Sequence, residues 1–297
     1  MADKSGAAAP TISTDDFRAL VLERGRELYR DLPWRRTRDP YAIWLSEVML
    51  QQTQVSRVDG RWQRWLVRFP DVGTLAAAEP ADVLDEWQGM GYNRRALALR
   101  TAAQTIAEAG AFPRELDELC ALPGIGPATA AGIRAFAFNL PGIYLETNVR
   151  TVFLHELFPD AQDVPDSALR PLVQVTCPVD DHDPADDPRT WYYALLDYGA
   201  HLKRTLPNPS RRSRSHTRQS AFEGSRRQKR ANLVRILLDA RAAGEACVTL
   251  GTALERLCAI EERAGREPVG EDLVASIMAD LEREGFCHAC GDGAWSA

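Results

Sequence analysis

Two glutamates and a glycine hairpin are the residues of this chain whose types and spacing could do chemistry. Glu47 sits in an apolar run between Ile43 and Leu50, one helical turn from each. A carboxyl turned from such a position into a cleft has its charged form disfavoured, so its pKa rises toward that of a general acid. Turned outward, it is a solvated helix glutamate. The next residues, Gln51-Gln52-Thr53-Gln54, offer amides and a hydroxyl in place of charge. Such groups suit probing base edges or filling the gap left by an extruded nucleotide, or they form a polar helix end.

The hairpin is Leu122-Pro123-Gly124-Ile125-Gly126-Pro127-Ala128-Thr129-Ala130, followed by Tyr144-Leu145-Glu146-Thr147-Asn148-Val149-Arg150. Pro113, Leu116, Leu119 and Cys120 precede it at helical spacing, and Ala130, Ile133 and Ala137 continue after Pro127, a proline placed to open a helix. Helix, glycine hairpin, helix is therefore expected. The glycines permit close backbone approach, and the second helix presents unpaired N–H groups and a positive dipole end, which suits a phosphate. An ordinary turn between helices has the same sequence.

These elements must be carried by a larger scaffold. Thr14-Asp15-Asp16 reads as a helix start, with Phe17, Leu20, Val21 and Leu28 as its stripe, ending before Leu32-Pro33-Trp34-Arg35-Arg36. A single helix is expected from Tyr41 to Val58. Trp62, Trp65, Leu66 and Phe69, then Val83, Leu84 and Trp87, read as core stripes. A further helix starts around Gly89–Leu97, and another covers Trp191–Ala200.

The block Leu45-Ser46-Glu47-Val48-Met49-Leu50-Gln51-Gln52-Thr53-Gln54-Val55, the hairpin and the Leu-acid-x-Asn-Val segment together resemble the helix-hairpin-helix (HhH-GPD) DNA glycosylases, most of all the MutY-type adenine glycosylases. The resemblance covers about residues 15 to 202 in matching order. It implies an all-α, two-lobed glycosylase fold over residues 14–202, with lobe one at about 40–145 and lobe two formed by 14–39 plus 146–202. Glu47 and Glu146 would then face a cleft between the lobes. It further implies that Gln52 is a wedge, and that Leu122, Gly124, Gly126, Thr129 and Asn148 contact DNA. Trp34, Arg35, Tyr92 and Ala128 would fall at the base pocket. On their own terms, Trp34 beside Arg35 could equally be a tryptophan packed on an arginine stem, and Tyr92 a core tyrosine.

Excising a base requires extruding the nucleotide, protonating the leaving base and stabilising an oxocarbenium-like sugar. Glu47 would be the acid, and Glu146 would face the sugar. The family has aspartate at that second position, so Glu146 is one methylene longer. Lyase members carry a Schiff-base lysine where this chain has Ala128, which implies a monofunctional enzyme acting through water. Adenine-specific members have serine or tyrosine at that position, and nothing after residue 231 resembles their 8-oxoguanine-reading domain. Adenine is the expected base, with another modified base, or mismatch binding without catalysis, as alternatives.

The family commonly holds an iron-sulfur cluster on four cysteines after its Gly-Ala, here Gly199-Ala200. This chain has no cysteine between Cys177 and Cys247, so no cluster, metal or other cofactor is expected. In its place runs a basic stretch, 203–230, whose Arg211, Arg212 and Arg214 are expected to bind DNA as a flexible arm. A solvated charge run is the bland reading. The acidic loop Asp180-Asp181-His182-Asp183 reads as solvated, not as a cation site.

Residues 231–297 read as three helices and a terminal hairpin, a winged-helix-like domain. Its third helix carries Glu271, Asp272, Asp280, Glu282 and Glu284 against Arg283 alone, which would repel phosphates. Packing against the catalytic half, or a protein partner, is expected instead. Cys287 and Cys290 read as wing residues, with zinc as the alternative.

Composition reads as that of an ordinary soluble globular chain. A length of 297 residues implies about two or three domains. The net charge of −6 argues against nucleic acid, yet a local basic stripe outweighs the sum. No apolar run approaches the roughly 18 residues of a membrane span, and residues 1–13 read as a disordered tail without a signal sequence. A cytoplasmic, nucleoid-associated monomer acting on double-stranded DNA is expected, with no membrane partner. The six scattered cysteines are expected to be reduced.

Overall fold

The computed structural model describes residues 12–179, 183–216, 221–291 and 293–297. The expected tail up to residue 11, the acidic residues 180–182 and Arg218 lie outside these. In chain order the helices are α1 (Thr14–Glu27), α2 (Pro40–Leu50), α3 (Val55–Val58), α4 (Arg61–Arg68), α5 (Val72–Ala77), α6 (Pro80–Glu86), α7 (Arg94–Ala109), α8 (Leu116–Ala121), α9 (Pro127–Phe138), α10 (Thr147–Glu156), α11 (Asp166–Thr176), α12 (Pro188–Thr205), α13 (Arg226–Ala242), α14 (Leu250–Arg263) and α15 (Glu271–Arg283). Short 3-10 turns stand at Pro33–Arg36 and Pro209–Arg212. Three strands, β1 (Val248–Thr249), β2 (His288–Gly291) and β3 (Ala294–Ser296), pair antiparallel in the order β1-β3-β2. The fold is mostly helical, as the sequence predicts.

Two compact units form, one from Met1–Gln51 with Phe112–Arg218, the other from Gln52–Ala111 with Gln219–Ala297. The grouping differs from the expected lobes. Ile43 of α2 and Ala135 and Phe136 of α9 share one core with Phe17 of α1, Phe153 of α10 and Trp191 of α12, so α2 and the hairpin join the N-terminal helix and the 146–202 segment. Phe17 anchors that core, edge-on to Phe153 at 4.9 Å and Trp191 at 6.0 Å. α10 and α12 approach so closely that a Cβ at Gly199 would stand 2.2 Å from the carbonyl oxygen of Asn148.

The helix expected from Tyr41 to Val58 is two helices. α2 ends at Leu50, and Gln52 takes a left-handed φ of 53° before α3 begins. A non-glycine residue holds that angle only where its surroundings impose it. The break bends the chain at the polar Gln51–Gln54 stretch and sends it into the second unit.

In the second unit, Trp65 and Trp87 pack edge-on at 5.5 Å to form the core of α4 and α6. The C-terminal part has the expected winged-helix order of three helices with a small sheet. Its acidic third helix faces the basic start of α13. Arg226 pairs with Asp280 at 2.6 Å, and Arg230 and Arg94 both pair with Glu284. Arg241 adds a bridge to Asp82 of α6 at 2.9 Å. The acidity that argues against a recognition helix is thus met by arginines of its own unit.

The basic stretch is consequently not one flexible arm. Lys203 and Arg204 finish α12, Pro209–Arg212 is a 3-10 turn, and Arg226 onward is α13. The cysteines also differ from expectation: Cys247 and Cys290 form a disulfide, while Cys120, Cys177, Cys258 and Cys287 are free. Cys290 lies on β2 and Cys247 directly precedes β1, so tertiary proximity joins residues that look scattered along the chain.

Candidate active site

α2 carries Glu47, and α9 receives it. The Glu47 carboxyl lies against Gly132 and accepts a 3.0 Å hydrogen bond at Oε2 from the Tyr144 hydroxyl. Burial raises its pKa from the ordinary 4.5 to about 8, the nearby Glu146 carboxylate pushes the same way, and the Tyr144 hydrogen bond opposes both. The side chain is therefore protonated at neutral pH, as a general acid requires.

Glu146 stands at the N-terminus of α10, where its Oε1 accepts the Asn148 N–H at 2.8 Å. It is an N-cap as well as a neighbour of Glu47. The two glutamates belong to one unit, not to opposite lobes.

The hairpin is formed as its residues imply. Gly124 adopts φ 78°, the left-handed region that glycine enters without strain. Gly126 is the N-cap of α9 without a side-chain cap, with Pro127 at the first helical position. Gly124 and Gly126 are exposed, whereas Leu122 and Ile125 are buried and anchor the turn. Thr129, expected at the DNA, accepts at its Oγ1 from Gln51 Nε2 at 3.0 Å, which ties α9 to the end of α2. Ala128, beside it, is half-buried and presents only a methyl.

Arg35 and Trp34 are both buried in the 3-10 turn. Arg35 grips Asp197 through both terminal nitrogens, at 2.7 and 2.8 Å, while Arg30 adds its own Nε to the same carboxylate. The Arg35 guanidinium also stacks on Tyr193 at 4.3 Å. A cavity lined by Leu22, Arg26, Tyr29, Arg35, Arg189 and Tyr193 opens here, with neither Glu47 nor Ala128 in its walls among the described residues. Asp197 was not singled out in the sequence; its place two residues before Gly199 on α12 was the available signal.

In the second unit, Gln52 is exposed in its left-handed conformation, and Tyr92 is 42% exposed with φ 49°. Arg95 braces the Tyr92 turn through the carbonyls of Met90 and Gly91 and lies 5.5 Å over the Tyr92 ring. Burial lowers the Arg95 pKa to about 10. The structure thus supports Tyr92 as a surface residue and not as core.

The three arginines expected on DNA have different situations. Arg212 donates to the carbonyls of Leu154, Phe158 and Pro159, closing the C-terminus of α10. Arg214 pairs with Asp163 at 2.8 Å on the exposed surface. Arg211 is exposed. Asn148 accepts from Lys203 at 3.3 Å through its side-chain oxygen. The turn that carries Arg212 is bridged to Val164 through Ser213.

That turn stands where the resemblance would place a four-thiolate cluster. The donor set does not fit one: the turn is built of Pro209, Ser210 and arginines, and two of the six cysteines are joined to each other elsewhere.

Residues 45–175 match the family described as HhH-GPD superfamily base excision DNA repair protein. An adenine DNA glycosylase of Mycolicibacterium smegmatis is 41% identical over 175 residues, 58% of each chain. The adenine DNA glycosylase of Homo sapiens is 37% identical over 147 residues, 46% of this chain and 27% of that one. The chain therefore spans well under two thirds of these relatives' lengths. Among solved structures, a thermostable thymine-DNA glycosylase aligns with a TM-score of 0.55 at 23% identity, covering 63% of this chain and 86% of that one. Endonuclease III in a non-covalent DNA complex aligns with a TM-score of 0.52 at 18% identity, covering 66% and 87%; at such identities the likeness concerns the fold. Glu47, the glycine hairpin and Glu146 all lie inside the segment, residues 45–175, that is similar to the HhH-GPD superfamily.

Proposed function

We propose that the protein is a monofunctional DNA glycosylase of base excision repair, with adenine as the favoured base. One observation carries the reading: the Glu47 carboxyl, inside the segment shared with adenine glycosylases, is pushed up to about 8 by burial. Glu47 donates its proton to the leaving base as the N-glycosidic bond breaks. The Glu146 carboxylate stabilises the positive sugar, and water adds its hydroxyl to the anomeric carbon while releasing a proton. Ala128 supplies no amine, so the strand stays intact at the abasic site. No iron-sulfur cluster takes part in this reading.

Double-stranded DNA is the partner, held by the exposed glycine hairpin and the N-terminus of α9, with Gln52 and Tyr92 as further contacts. Mass spectrometry of bases released from a panel of mismatched and damaged duplexes tests the assignment. Free adenine, with strand breaks only after alkali, is the expected result. Release of a different base would reassign the substrate, and binding without any release would make the protein a mismatch sensor.

A further inference from the structure

Glu47 is held in place by two residues to which the sequence reading gives no role. The Tyr144 ring is buried edge-on to Phe136 and Tyr192, each 5.3 Å away. Its backbone N–H donates to the Tyr192 hydroxyl at 3.3 Å, and that hydroxyl donates to the Gly142 carbonyl. α12 therefore fixes both the ring and the path of the segment that leads to Glu146. So held, the Tyr144 hydroxyl meets Glu47 Oε2. Gly132 makes the room. A Cβ there would stand 2.4 Å from Glu47 Oε2 and 2.7 Å from Tyr144 Cε2, closer than non-bonded carbon contacts allow.

We propose that Tyr144 is a positioning residue that selects which oxygen of Glu47 carries the transferable proton, and that Gly132 is the gap that lets the two side chains meet. The proposal rests on Glu47 as the acid. A neutral carboxyl has one oxygen that bears the proton and one that accepts. A hydroxyl donating to Oε2 makes Oε2 the acceptor, so the proton resides on Oε1. Once it has left, the same hydrogen bond stabilises the carboxylate. Burial and the Glu47 and Glu146 charges hold the Tyr144 phenol well above its ordinary value, so it remains a donor throughout. The other ionisable groups that face this carboxyl are Glu146 and, from α12, Tyr193.

The test is single-turnover base release against pH, on an adenine-guanine mismatch and the other duplexes of the panel, for the wild type, Glu47→Gln, Tyr144→Phe, Gly132→Ala and Gly132→Ala with Tyr144→Leu. Tyr144→Phe keeps the ring and loses the donor. Release should slow about tenfold near neutral pH, and its alkaline limb should move up by about one pH unit, because the bond that favours the carboxylate is gone. Gly132→Ala should also slow release, and adding Tyr144→Leu should recover part of it by returning space to the carboxyl. A purely structural defect would worsen on combination. Tyr144→Phe with the wild-type rate and limb, beside an inactive Glu47→Gln, overturns the positioning role alone. Full release by Glu47→Gln, or no release from any duplex, overturns the acid and the positioning role together.

Discussion

Arg35 and Asp197, 162 residues apart, form a two-pronged ion pair whose side chains are 2% and 0% exposed. Arg30 completes the arrangement from the rim. Removing the carboxylate would leave a guanidinium buried without its counter-charge. Asp197→Ala should therefore cost about 3 to 5 kcal/mol of stability, read from the denaturant midpoint. An unchanged midpoint would mean that water reaches the pair and screens it.

The Glu47 pKa carries a stability cost with a defined sign. Folding raises it from 4.5 to about 8, so the folded chain binds more protons than the unfolded one between those values. The favourable contribution is complete below about pH 4.5 and is lost as pH rises through about 8. Glu47→Gln removes the titration. Its stability relative to wild type should grow from pH 5 to pH 8, by on the order of a few kcal/mol, and level off above. Base release should meanwhile fall by about a hundredfold or more with duplex binding retained. A pH-independent stability difference would place Glu47 in solvent.

Neighbouring arginines of the 209–212 turn should separate cleanly. Arg212→Ala leaves helix-end carbonyls of α10 unpaired and should cost about 1 to 3 kcal/mol of stability with little change in the salt dependence of DNA binding. Arg211→Ala should do the reverse, reducing the salt slope by about one unit if Arg211 meets a phosphate. Identical behaviour of the two variants would refute the division.

The Cys247–Cys290 link closes a 43-residue separation. Reduction should destabilise the second unit by about 2 to 4 kcal/mol, and Cys290→Ser should reproduce the effect without further loss on adding reductant. A reductant effect that persists in Cys290→Ser would point to another thiol pair.

Features that depend on neighbours in sequence were legible before the structure. The hairpin needed only Gly124 to enter the left-handed region and Pro127 to open α9, and both are local backbone preferences. Glu47 stood out through the resemblance of the block around it, since the apolar residues one turn away left both a desolvated and a solvated carboxyl open, and the winged-helix order followed from periodicity. What the sequence could not place were contacts between residues far apart along it. Gly132 meets Glu47 because α9 packs on α2, and Tyr144 meets it because Tyr192 of α12 holds the segment that follows α9. Arg212 caps α10 while adjacent Arg211 is exposed, a difference that composition cannot express. The acidic α15 and the basic start of α13 each looked like a surface awaiting a partner, yet Arg226 and Arg230 meet Asp280 and Glu284 once packing brings the helices together. Periodicity constrains which face of an element is buried, but the partner across that face is chosen by the three-dimensional packing of the whole core.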